Sequence, residues 1–511
     1  MKNIKPLHGS QLAMVTLALS LATFMNTLDT TIANVSIPVI AGSMGASNNE
    51  GTWIITSFSA STAIMLPLSG WLAKRFGEVR LFVIATLLFT IISVLCGLAT
   101  NLSSIVFFRI LQGIAAGPMI PISQSLLLNI YPPGRRGLAT GFWAMSSAVA
   151  PVLGPILGGY ITDSYSWPWI FFINVPVGLF CVYVTWIILR DRETKIVKTP
   201  VDYIGLILLA IGIGSLQVLL DQGRILDWFN SPFIVILTIV STICLIFLVI
   251  WVLGEEHPIV DLSLFRKLNF AIGTTAVGLG FMTYFSSVVI LPLWLQSQLG
   301  YTPTWAGLVT APVGILPIFL SPVVGQLTEK MDLRLIATMG FGVFSICSFW
   351  LSGFNTMTTA SHIAFIRLIQ GLAIPCFLIS MIGIALSQIS TQNFANAAGL
   401  SNFTRVIGAS FGTSIFVTIW DRRESFHQST LAQGLTNYNA QMQATVHSLN
   451  NLGLNNQTSY ALIAKNLINQ AYMLATNDVF WLHGIIFAIL LFIIWFAQPP
   501  FAAKGTPAVI D

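Results

Sequence analysis

Charge is what this chain carries least of. Asp, Glu, Lys and Arg make up 8% of its 511 residues, where an ordinary soluble domain has about 25%. With 55% of residues apolar, the chain cannot cover a water-soluble surface, and a soluble globular class is excluded. The basic excess, a net charge of +5, is scattered over short polar segments, so no stripe dense enough for nucleic acid exists. Cysteine is rare. Cys96, Cys181, Cys244, Cys347 and Cys376 all fall in apolar runs and read as buried thiols, not as a disulfide framework. The six histidines do not cluster with carboxylates or cysteines at ligand spacing, so neither a metal nor another cofactor is expected. A phosphate-binding loop is missing, which excludes ATP-driven work. Catalytic side chains converging on one face are missing too, so an intramembrane enzyme is not expected.

What the chain has in abundance is apolar runs of about twenty residues, each able to cross ~30 Å of hydrocarbon. Fourteen spans are predicted, over 12–38, 52–73, 81–99, 103–128, 137–161, 168–189, 203–221, 232–253, 269–295, 303–328, 334–353, 361–386, 396–420 and 478–497. The first mimics a signal peptide, but it runs on past Asp29 without a small-residue cleavage site and reads as an uncleaved span. Sixteen Lys and Arg fall on the side of the N-terminus, against Arg224, Arg422, Arg423 and Lys465 on the other. That asymmetry predicts cytoplasmic termini. Residues 421–477 then form the large outer segment, rich in Asn and Gln, which would either cap the protein or dock a partner.

One carboxylate lies deep in an apolar run: Asp29, in LATFMNTLDTTIANVSIP. A mid-span Asp costs roughly 2.5–3.5 kcal/mol, so it needs a proton or a cationic partner. Asp29 lies about 25 Å along an outward-running span, and Arg109 about 9 Å from the outer end of span 4. Both therefore fall in the outer half. Near Arg109 the carboxylate stays ionised; parted from it in a dry site, it takes a proton. This pair would be a proton switch. Otherwise, Asp29 pins a helix and Arg109 only bonds backbone carbonyls. Gln112 shares the face of Arg109 and is placed to relay hydrogen bonds.

The chain repeats itself. RILQGIAAGP begins at Arg109 and RLIQGLAIPC at Arg367, 258 residues later. The same offset carries Gly113 onto Gly371, Gly141 onto Gly399 and Gly154 onto Gly412. Spans 1–6 and 9–14 are thus two parallel copies of one six-helix unit. The predicted domains are 1–190, an inserted helix pair over 191–268 expected to face lipid, and 269–511. Two such halves around a midplane cavity are the plan of the major facilitator transporters.

Several segments resemble a branch of that superfamily. LDTTIANVSIP, GWLAKRFGEVRL, FFRILQGIAAGP and GPILGG are similar to the motif set of the fourteen-helix drug:proton antiporters. WPWIFFINVPVG, IVDLSLF, WAGLVTAPVGI and LSNFTR resemble its EmrB-type multidrug efflux members. The resemblance implies an all-α fold with a 6+2+6 arrangement and proton-coupled export of hydrophobic drugs across a bacterial inner membrane. It implies a periplasmic adaptor of the EmrA type and an outer-membrane channel of the TolC type, with 421–477 as the candidate contact. It implies a coupling role for Arg109, which matches the span-4 motif. It places Gly154, Pro155, Gly158 and Gly159 at the interface of the halves, with plain helix packing as the alternative. Arg75, Gly77 and Arg80 match the cytoplasmic gating loop. Family members usually carry an acid where Lys74 stands, so the usual charge latch is in doubt, and a positive anchor is the alternative.

Arg405 lies about ten residues into span 13, near the midplane. With Arg109 and Arg367 against Asp29, the in-span charges sum to +2. A cavity lined this way favours weakly acidic amphiphiles over permanent cations. Asn26, Asn34, Tyr284, Trp294, Asn402 and Phe403 are the other candidate lining residues, each with ordinary packing as its alternative. The expected protein is a proton-coupled drug exporter. A dedicated exporter of one endogenous metabolite would share its fold and coupling.

Overall fold

The computed structural model describes residues 7–197, 200–256, 258–436 and 439–501. Fourteen helices among them are long and apolar enough to cross a membrane, and no strand occurs among the described residues. In chain order they are Gly9–Ser43 (α1), Asn49–Phe76 (α2), Glu78–Gly97 (α3), Leu102–Ile130 (α4), Arg136–Ser164 (α5), Trp169–Arg192 (α6), Tyr203–Gln222 (α7), Pro232–Gly254 (α8), Leu268–Ser297 (α9), Thr304–Leu327 (α10), Leu333–Leu351 (α11), Ala360–Leu386 (α12), Thr391–Ala432 (α13) and Asn456–Phe496 (α14). Successive helices run antiparallel. Connections bearing Arg135, Lys267 and Lys330 collect on one face, called here the basic face.

The repeated glycines mark repeated close approaches. A methyl group on Gly113 would meet the Phe58 carbonyl oxygen, and one on Gly371 the Val313 carbonyl oxygen. So α4 presses on α2 as α12 presses on α10. Gly141 and Gly399 do something different: each meets the backbone of the other half, at Ser321 and Leu66.

Two elements differ from expectation. α13 and α14 have 42 and 41 residues, about 60 Å each and twice the hydrocarbon thickness. Most of 421–477 is therefore not loop but continued helix, with a short helix Ala440–Asn451 between. No Pro or Gly interrupts 421–432 or 456–477, so nothing ends the helices at the membrane edge. Arg423 Nε and His427 Nε2 both meet Asp478 Oδ2, at 2.6 and 2.7 Å, and tie the two helices together there.

The inserted pair also departs from a lipid-facing spacer. α8 is the most apolar helix and its surface is largely exposed. α7, in contrast, is wedged at the seam between the halves. Gln222 Nε2 donates to Thr52 Oγ1 of α2 at 3.1 Å, and Gln217 Nε2 to Ser410 Oγ of α13 at 2.9 Å. Leu209 and Ile213 pack with Leu68 of α2 and Leu400 of α13.

Candidate transport site

The hydroxyls around Asp29 turn back on their own helix: Thr27 bonds the Thr23 carbonyl at 2.9 Å and Thr31 the Thr27 carbonyl at 3.2 Å. The Asp29 carboxylate is held instead by two neighbouring helices. Arg109 of α4 donates at 2.5 Å, Asn174 of α6 at 2.9 Å and Gln112 of α4 at 3.4 Å. The side chains of Asp29 and Arg109 are both 0% exposed. Two neutral acceptors also hold the guanidinium, the Ile54 carbonyl at 3.1 Å and Gln112 Oε1 at 2.7 Å. The Phe58 ring lies 4.0 Å from it. Ser93 of α3 accepts from Gln112 and Asn174, at 2.7 and 3.3 Å, and closes the network. A dry ion pair is held when neighbouring groups bond its remaining polar atoms, and this network does so except at Arg109 Nη2, which has no hydrogen-bond partner among the described residues. Asp29, Arg109 and Gln112 thus come together as the sequence suggested. Asn174 and Ser93 were missed; the one signal was an amide inside the apolar run WPWIFFINVPVG.

Between the halves lies a cavity of about 1120 Å³, opening on the face away from the basic one. Asn34, Pro155 and Gly159 line it from the first half; Tyr284, Pro292, Val313 and Arg367 line it from the second. The basic face is shut. Gly137 and Gly325 meet backbone to backbone, as do Gly70 and Asn396. Asn402 Nδ2 donates to Gln124 Oε1 across the halves at 2.8 Å, and the Arg136 guanidinium lies 5.1 Å from the Phe394 ring.

Of the candidate lining residues, Asn34 and Tyr284 face the cavity and the others do not. Asn26 is buried and bonds the Ala116 carbonyl at 2.7 Å. Trp294 packs in the core of the second half and Phe403 against the α7 seam. Arg405 is clasped between Trp143 of α5 and Phe281 of α9, 5.3 Å from each ring. The GPILGG motif divides: Gly154 and Gly158 pack on Thr31 and Ile32 of α1, within one half, while Pro155 and Gly159 line the cavity.

The loop after α2 has an acid after all, supplied from elsewhere. Gly77 turns at φ +88, open to glycine. Glu193, just beyond α6, accepts the Val79 and Arg80 N–H groups at 3.0 and 2.9 Å and so caps α3. Arg75 lies 5.3 Å from the Trp71 ring, and the Arg80 side chain is exposed. In the second half, Glu329 faces the Gly137 and Leu138 N–H groups of α5; burial pushes its carboxyl up from the ordinary range.

The model of the Major Facilitator Superfamily matches residues 19–413. The chain belongs to that superfamily. It is 49% identical over 506 residues to the multidrug export protein EmrB of Escherichia coli (strain K12), covering 99% of both chains. It is 47% identical over 500 residues to the fatty acid resistance protein FarB of Neisseria gonorrhoeae, covering 98% of this chain and 99% of that one. A solved structure of the proton:xylose symporter XylE matches with a TM-score of 0.60 at 14% identity, over 96% of each chain, and supports the fold. This facilitator is therefore an EmrB-type transporter with fourteen membrane-crossing helices, not an enzyme.

Proposed function

We propose that the protein exports structurally diverse hydrophobic drugs, weak acids among them, in exchange for protons by alternating access. The basic face would lie in the cytoplasm and the cavity would open away from it, across a bacterial inner membrane, with both termini cytoplasmic. The observation that carries this reading is the buried Asp29–Arg109 pair beside a cavity shut on one face only. In the outward-open form Asp29 is paired with Arg109. A proton reaching it would cancel its charge. Arg109 would then rest on the Ile54 carbonyl and Gln112, acceptors it already holds. Loss of the pair loosens α1 against α4, and both belong to the half that must rock.

EmrB is named for multidrug export, which supports a broad cargo range. FarB is named for fatty acid resistance, which favours a second reading, a dedicated exporter of one acidic metabolite. The α13–α14 hairpin is the candidate contact for an EmrA-type adaptor leading to a TolC-type channel. The deciding experiment reconstitutes the protein in liposomes and measures proton movement on drug addition. Proton release driven by several unrelated drugs is expected. Drug movement without proton movement would refute the coupling, and a response to one acid alone would select the dedicated exporter.

A further inference from the structure

The 258-residue offset relates more than Arg109 and Arg367. It carries Gln112 onto Gln370 and Asp29 onto Ser287. The bonds repeat with the residues. Arg367 NH1 donates to Gln370 Oε1 at 2.6 Å and to Ser287 Oγ at 3.2 Å. In the first half, Arg109 NH1 donates to Gln112 at 2.7 Å and to Asp29 at 2.5 Å. What does not repeat is the negative charge: a hydroxyl stands where the first half has a carboxylate.

Arg367 is consequently a buried cation, 1% exposed, whose bonds are to neutral acceptors. Among the described residues its Nε has no hydrogen-bond partner, and neither has the hydroxyl of Tyr284, a residue 5% exposed. Both residues line the cavity. The other charged lining residues are Asp163 and Arg224, which sit at the mouth. Asp163 is exposed, and Arg224 is already paired with Asp421 at 2.8 Å. Among the described residues, the cavity therefore presents one positive charge without a counter-ion, and Val152, Val288, Pro292 and Val313 share its lining. A dry cation of this kind is stabilised strongly by any anion that reaches it.

We propose that Arg367 and Tyr284 form the head-group subsite of the transport cavity, and that its ligand is an organic anion with an apolar body, a carboxylate or phenolate amphiphile. The ligand's acidic group would supply the second half with the counter-charge that Asp29 supplies to the first. This deepens the export reading and rests on it. It also assigns discrimination by charge to Arg367 and not to Arg405, which two rings hold away from the cavity.

The test uses the full-length protein in lipid nanodiscs and two fluorescent probes, a dansylated medium-chain fatty acid and its methyl ester, titrated at mildly alkaline pH. The wild type should bind the acid more tightly than the ester. Ser287→Asp gives Arg367 an internal counter-ion, and Arg367→Gln removes the cation. Each should weaken acid binding about 10- to 100-fold and leave ester binding unchanged; retained ester binding shows that the variant is folded. Tyr284→Phe, the mildest change, should weaken the acid alone by a smaller factor. Unchanged acid affinity in these variants, or equal loss of both probes in all three, overturns the subsite. So does a wild type without preference for the acid. Proton release driven by neutral drugs would still stand in that case, so failure of the subsite and failure of the export reading appear in different measurements.

Discussion

Arg109 meets Asp29 at 2.5 Å where neither side chain touches solvent, and the contact lies within one half of the molecule, outside the lining of the cavity between the halves. In the proposed reading, the proton and cargo sites are therefore separate. Coupling between them would pass through movement of α1 and α4, because Asn34 and Pro38, further along α1, line the cavity that Asp29 itself does not reach. A proton on Asp29 would change how firmly α1 is held, and the cavity wall would change with it.

That separation gives a prediction about stability and coupling together. Asp29→Asn leaves Arg109 buried without its counter-ion, which costs about 3–5 kcal/mol in comparable pairs. The single variant should melt lower than wild type and lose export driven by a pH gradient. The double variant Asp29→Asn with Arg109→Gln removes both charges. It should recover most of the thermal stability while remaining uncoupled. Melting in detergent and efflux in energised cells are the two measurements. Export by the double variant at wild-type rates would show that another group carries the proton.

The shut basic face depends on glycines that bring backbones into contact. A side chain on Gly137 would strike the Gly325 carbonyl and Thr328. Gly137→Val should disfavour closure of that face by about 1–3 kcal/mol, the usual range for overpacking. Spin labels placed across the basic face would report a longer distance population than in wild type, and export would fall while membrane insertion persisted. An unchanged distance distribution would mean that α5 and α10 close by another route.

Much of this architecture was legible because it rests on composition and period. Fourteen apolar runs appear wherever a helix must cross hydrocarbon, and the glycine register survives because each glycine marks a close helix approach. Asp29 stood out for the same reason, as a charge where charge is costly. Other features had no one-dimensional signal. The extensions of α13 and α14 are polar, so they look like loop to any reading based on hydropathy. Glu193 caps α3 from more than a hundred residues away, and its position in the sequence says nothing of that. Depth along a helix was readable for Arg405, but the direction it faces was not. Arg405 was therefore expected as the cavity contact, and Arg367 entered only through the sum of in-span charges.

Arg405 supplies the last prediction. Its guanidinium lies 5.3 Å from Trp143 of the first half and 5.3 Å from Phe281 of its own half. A cation on the faces of two rings contributes about 0.5–2 kcal/mol, here joining the halves while the basic face is shut. Arg405→Ala should therefore slow export of a matched acidic and neutral drug by the same factor. Arg405→Lys should recover only part of the activity, because a compact ammonium stacks less well than a planar guanidinium. Resistance of cells to the two drugs, normalised to protein level, measures both effects. A loss confined to the acidic drug would instead place Arg405 against the cargo in some part of the cycle, and the charge discrimination assigned to Arg367 would have to be shared between them.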